Sequence, residues 1–148
     1  MAIGRLDVNS EGLLLLTTNG KVSEEIRSRK VEKEYYVQVD GCITQEDINI
    51  LKSGVVIGFK GKKYTTKPCK SSLIPVPNFK DRTQKIRDER HGPTSWISIT
   101  LKEGKFRQVR KMTAAVGFPT LRLIRIRVGS ILLGNLKLGE VREVPSFF

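Results

Sequence analysis

Asp7 is the residue whose setting best suits chemistry. It stands in Gly4-Arg5-Leu6-Asp7-Val8-Asn9-Ser10-Glu11-Gly12, directly before the apolar run Leu13-Leu14-Leu15-Leu16 and the turn pair Asn19-Gly20. A carboxylate just before a buried strand, beside an arginine and between glycines, can be held rigidly at a cleft edge. There it can act as a nucleophile or a base. Asp, Asn, Ser and Gly are also ordinary turn formers, so the local pattern alone fits a turn as well.

Two more segments carry candidate side chains. In Lys33-Glu34-Tyr35-Tyr36-Val37-Gln38-Val39, strand alternation puts Tyr35, Val37 and Val39 on one inward face, with Lys33 of the same parity at the rim. A tyrosine so placed is either a core residue or a surface on which an unpaired base can stack. In Glu103-Gly104-Lys105-Phe106-Arg107-Gln108-Val109-Arg110-Lys111-Met112, Arg107 and Arg110 are spaced i and i+3 beside an apolar stripe of Phe106, Val109, Thr113 and Val116. Cations flanking a buried stripe reach into a cleft or form a solvated basic face. With Arg122, Arg125 and Arg127 they make the last third of the chain basic, and phosphate contacts are expected there.

Several elements must position these groups. Residues 13–17 are expected to form a strand buried on both faces, and 21–29 has helix-forming composition. Glu34 to Asp40 alternates as a half-buried strand. Thr44 is an N-cap with Asp47 three residues on, Ile43 and Ile48 sit at staple spacing, and Gly54 ends the helix. Strands are expected around 55–60 and 65–74, with a long polar loop from Pro75 to Ser95. Trp96 to Leu101 alternates again. A helix is expected from Lys105 to Val116, ended by Gly117 and Pro119. Leu123 to Val128 reads as a strand, and the parity of Arg122 asks for a bulge or turn nearby. The absence of a strand–helix–strand rhythm points to an α+β fold with a mixed, largely antiparallel sheet.

The chain has 148 residues, enough for one domain, with 27 Lys and Arg against 15 Asp and Glu. A formal charge of +12 attracts a polyanion, either nucleic acid or an acidic membrane. No run approaches the roughly 20 apolar residues of a membrane helix, and no signal-peptide pattern opens the chain. Cys42, Cys69 and the single His91 have no metal-like spacing, so neither a metal nor a hydrolytic triad is expected. A cytoplasmic protein without a cofactor is the expectation.

The motif GRLD-x-x-SEGLLLLT-x-NG resembles the signature of the pseudouridine synthases of the RsuA type. KEYYVQV and EGKFRQVRKMTAAVGFPTLRLIR resemble that family's second and third motifs, in the same order. Pro93-Thr94-Ser95-Trp96 and the GFPTLRLIR run resemble the branch acting on large-subunit ribosomal RNA, the synthase E branch. The resemblance implies a mixed, mainly antiparallel sheet flanked by helices with a central catalytic cleft, in one catalytic domain over 1–148 with no separate RNA-binding domain. It implies isomerisation of a ribosomal RNA uridine: the N1–C1′ bond breaks, the base rotates, and it rejoins through C5 with no cofactor. Asp7 matches the essential aspartate, Tyr35 the tyrosine that stacks on the target base, and Arg110 the cation paired with the aspartate. Such a cation would lower the carboxyl pKa by about 1–3 units. RNA contacts are expected from Arg5, Lys33, Arg107, Lys111, Arg122, Arg125 and Arg127. A non-catalytic RNA-binding or ribosome-assembly protein is the alternative reading. Family members also carry an initial strand ahead of the first motif. Its absence here leads to the expectation of an open sheet edge near 3–17 and self-association in an otherwise monomeric protein.

Overall fold

In the computed structural model, residues 2–3, 6, 9–27, 31–79, 92–105, 107–137 and 139–144 are described. In chain order the elements are β1 (Glu11–Gly12), α1 (Gly20–Arg27), β2 (Lys33–Asp40), α2 (Gln45–Ser53), β3 (Val56–Phe59), β4 (Lys62–Thr65), β5 (Lys70–Ile74), β6 (Thr94–Leu101), α3 (Gln108–Ala115), β7 (Thr120–Val128) and β8 (Ile131–Leu132). The main sheet runs β1-β7-β2-β6-β5, with β8 also paired to β7. β1 is parallel to β7 and the other pairings are antiparallel. This is the expected α+β architecture with a mixed, mainly antiparallel sheet. β3 and β4 form a separate hairpin.

β2 sits at the centre because its alternation offers one wholly apolar face. Val37 and Val39 are fully buried against Ile97 and Ile99 of β6, and the same cluster takes Ile48 and Leu51 from α2 and Val109 and Met112 from α3. Each such side chain contributes roughly 1.5–3 kcal/mol relative to an exposed one. α2 starts where the sequence indicates. Thr44 Oγ1 accepts from Asp47 N at 3.3 Å, while Asp47 Oδ2 accepts from Thr44 N at 3.0 Å. Ile43 and Ile48 are both buried, and Gly54 stops the helix with φ 107°.

A second cluster of Ile3, Leu13, Leu15, Ile26 and Val128 lies around α1. Its shape corrects the reading of 13–17. Leu13 and Leu15 are buried, but Leu14 is 41% and Leu16 54% exposed, so the run alternates and is not covered on both faces. Only one apolar layer reaches it. Regular pairing to β7 ends at Gly12, and Ala2 bridges Leu16 while Ile3 N donates to Leu15 O at 2.8 Å. The stretch around 65–74 is also corrected. The strand there is only Lys70–Ile74, and a further strand, β4, ends at Thr65, because Lys60 (φ 51°) and Gly61 (φ 74°) make a two-residue turn that folds β4 back on β3. The loop expected from Pro75 to Ser95 falls largely outside the described residues, and Thr94 and Ser95 already belong to β6.

Where one bulge or turn is expected near Arg122, β7 carries two bulges, and they flank Arg122 to Arg125. Its register against β2 jumps from Arg127 opposite Glu34 to Arg125 opposite Tyr35, and from Arg122 opposite Gln38 to Thr120 opposite Val39. The extra residues are Ile126 and Leu121. The bulge at Ile126 sends Arg125 and Arg127 to opposite faces, contrary to their shared parity in the sequence.

Gly12 is where the sheet admits no side chain. A Cβ there would lie 2.2 Å from the Arg125 carbonyl oxygen and 2.6 Å from its nitrogen, at φ 106°. Gly20 would meet nothing within 4 Å. Gly12→Ala is therefore expected to destabilise the protein by well over 1 kcal/mol, and Gly20→Ala to leave it unchanged or slightly more stable. Urea unfolding midpoints of the two variants check this contrast.

Candidate active site

The loop that follows Asp7 is held by arginines from the far end of the chain. Arg110, on α3, donates through Nη2 to Asn9 O at 3.2 Å and to Ser10 Oγ at 3.3 Å. Arg122 grips Glu11 with two bonds of 2.8 Å, Nε to Oε2 and Nη2 to Oε1. Arg125, buried, donates from Nε to Leu13 O at 2.8 Å, while Leu13 N donates to Arg125 O at 2.8 Å. Guanidinium groups suit this work, since a planar fork of donors fixes geometry as well as charge.

Asp7 and Arg5 lie outside the described residues, so an Asp7–Arg110 pair and its distance to Tyr35 are not described. What is described is the frame around them. Gly12, Arg125, Tyr35 and Ile99 occupy one lateral row across β1, β7, β2 and β6. At about 4.8 Å per strand, Tyr35 lies some 10 Å from Gly12 along that row. Tyr35 is half-buried and packs against the main core. Lys33 is its neighbour on the same face. Burial pushes the Lys33 ammonium below the usual lysine range, and the nearby Arg125 charge adds to the effect.

The remaining cations are placed differently from a free basic face. Arg127 pairs with Glu34 at 2.9 Å and with Glu32 at 3.5 Å. Arg122 has Glu11 as its partner and lies 6.0 Å from the Phe79 ring centre. Arg125 is aimed at backbone. These three, expected as phosphate contacts, brace the sheet and the loop through protein partners. Lys111 Nζ donates to Gly58 O at 2.9 Å, tying α3 to the β3–β4 hairpin. Arg107 caps α3 in a left-handed conformation (φ 51°).

The residue missed in the sequence is Glu103. It is buried, accepts a hydrogen bond from Tyr64 Oη, and accepts from Lys67 N at 2.7 Å and from Gln108 Nε2 at 3.0 Å. Gln108 in turn accepts from Lys105 N at 3.0 Å. This network fixes the turn ahead of α3 and delays the helix to Gln108, where the sequence pattern starts it at Lys105. Arg110 then follows in the first turn. One signal was available: Glu103 is the last acid before Glu140, in a stretch that otherwise carries only cations.

The chain belongs to the RNA pseudouridylate synthase family, whose model matches residues 1–115. It is 42% identical over 97% of its length to the ribosomal large subunit pseudouridine synthase E of Vibrio parahaemolyticus, of which it spans 59%. It is 38% identical over 91% of its length to the synthase of that name from Xanthomonas axonopodis pv. citri, spanning 70% of it. Among solved structures, a crystal structure of a pseudouridylate synthase superposes with a TM-score of 0.68 at 30% identity, covering 89% of this chain and 50% of that one. The chain thus spans about three fifths of the length of the Vibrio relative it matches.

Burial pushes the Glu103 carboxyl up, but the hydrogen bonds from Tyr64, Lys67 and Gln108 outweigh it and hold it below the ordinary carboxylate range. A folded-state value below the unfolded one means stability present above the unfolded pKa, about 4.3, and lost as pH falls through the folded value. Glu103→Gln is therefore expected to flatten the acid limb of a stability–pH curve from denaturant melts. It should also cost stability at neutral pH, where the charged acceptor is lost.

Proposed function

We propose that this protein isomerises a uridine of large-subunit ribosomal RNA to pseudouridine, with Asp7 as the reacting carboxylate. The observation that carries the reading is the grip of Arg110 on Asn9 and Ser10, two and three residues beyond Asp7. A guanidinium at that point supports an ionised carboxylate on the same loop. Family membership supplies the reaction class, and the names of the relatives supply the RNA.

The chemistry asked of the residues is modest. Asp7 attacks the sugar or the base, so that the N1–C1′ bond breaks. The freed base turns while held, C5 bonds to C1′, the Asp7 carboxylate is released with its electron pair, and the proton lost from C5 is balanced by one taken up at N1. Tyr35 offers a ring beneath the base once it has left its stack, a step costing a few kcal/mol. Lys33 lies beside it at the rim. Arg5 and Arg107 complete the proposed set of RNA contacts, and Lys111 keeps α3 against the hairpin. The reaction is expected to proceed without a cofactor.

Asp7→Asn is expected to abolish pseudouridine formation in an unmodified large-subunit ribosomal RNA transcript, read by carbodiimide labelling, and to leave RNA affinity within a few-fold. Turnover near the parent rate would remove Asp7 from the mechanism. RNA binding without any pseudouridine from the parent chain would favour a non-catalytic RNA-binding protein instead.

A further inference from the structure

The β3–β4 hairpin is not explained by the candidate active site. Its tip reads Phe59-Lys60-Gly61-Lys62-Lys63, and from Gly54 to Phe79 the chain holds five lysines and no acid. Lys60, Lys62 and Lys63 are exposed. Lys60 Nζ lies 5.3 Å from the Phe59 ring centre, and Lys105 Nζ, from the turn before α3, lies 5.0 Å from it and 5.1 Å from that of Tyr64. Aromatic faces here draw ammonium groups together instead of letting them spread.

Backbone conformation adds an independent sign. Among the described residues, the only non-glycine positions with left-handed φ are Lys60 and Arg107, both at 51°. A two-residue turn of this kind favours Asn-Gly or Gly-Gly. Lysine at the first position is a strained choice, and strain of this sort concentrates at functional sites. Both strained residues are cations. One lies at the hairpin tip and the other at the start of the helix that carries Arg110. Two ties join these elements: Lys111 Nζ to Gly58 O at 2.9 Å, and the Tyr64–Glu103 hydrogen bond.

We propose that the β3–β4 hairpin is a phosphate-gripping arm that binds the RNA backbone beside the active site, with Lys60, Lys62 and Lys63 as its contacts. This rests on the RNA substrate proposed above. The chemistry favours RNA over other anionic partners. A bilayer needs an apolar group to insert, and Phe59 is half-buried under two ammoniums. A protein partner needs a desolvated aromatic or apolar centre, which the tip lacks. Flexible ammonium groups are what counterion release from a polyphosphate uses. Being tied to α3, the arm holds a fixed place relative to Arg110.

The test is the salt dependence of binding to an unmodified large-subunit ribosomal RNA transcript. Lys62→Ala with Lys63→Ala is expected to lower the log–log slope by about 1.4–1.8, at roughly 0.7–0.9 per phosphate contact. Lys21→Ala with Lys137→Ala removes equal charge elsewhere and should lower it by less than half as much. Lys60→Asn should lower the slope by about one contact, 0.7–0.9, while leaving the urea midpoint unchanged or higher because the turn strain is relieved. That opposition separates lost binding from lost folding. Equal slopes for the two double variants would overturn the arm. So would an unchanged slope for Lys60→Asn, or a loss confined to binding of phosphatidylserine vesicles. Since the readout is binding, a chain that grips RNA in this way but makes no pseudouridine refutes the proposed reaction and not the arm.

Discussion

The fixing of one short loop to the opposite end of the chain governs the rest of the structure. Asn9 to Leu13 cannot stand alone: it has two strand residues and no helix. It keeps its shape because Arg110, Arg122 and Arg125 each take a different atom set along it. Gly12 lets the two backbones close up, since a side chain there would meet Arg125 backbone at 2.2 Å. β7 must therefore carry arginines where a buried central strand would ordinarily carry aliphatic residues, and it must bulge to deliver them to the right faces. The acids that balance them, Glu11, Glu32 and Glu34, follow from the same requirement.

Much of the fold was legible in the sequence because it rests on local rules. The alternation of β2, the capping box at Thr44 and the run of β6 depend on residues close in sequence, and they appear where expected. Errors arose where a distant group decides. Leu13 to Leu16 looks like a buried strand by composition, yet its exposure depends on how many layers α1 and β8 supply. The start of α3 looks like Lys105 by periodicity, yet a carboxylate buried with Tyr64 and Lys67 holds that turn out of the helix. The shared parity of Arg125 and Arg127 is undone by a single extra residue. The hairpin of β3 and β4 was not legible, because its turn, Lys60-Gly61, uses lysine where Asn or Gly is the usual signal.

The site shows the same division. Tyr35 was placed correctly on the inward face by alternation alone. The bond from Arg110 to the loop after Asp7 could not be read from spacing, since the partners are 101 residues apart. Arg122, Arg125 and Arg127 show the converse limit: net positive charge says nothing about which cations face solvent and which are matched internally. The main sheet takes its share of the charge into ion pairs and backbone contacts, while the hairpin tip keeps its lysines exposed.

The wide sequence separation of the loop contacts also sets an order of events during folding. The β3–β4 hairpin closes over a two-residue turn, and α2 needs only its own cap, so both can form early and quickly. The bonds from Arg122 to Glu11 and from Arg125 to Leu13 span 111 and 112 residues. They wait until β7 has been made and has found β2. A growing chain would thus present its lysine-rich hairpin well before the carboxylate loop is seated. Nascent molecules would be able to associate with polyanions some time before they are competent for chemistry.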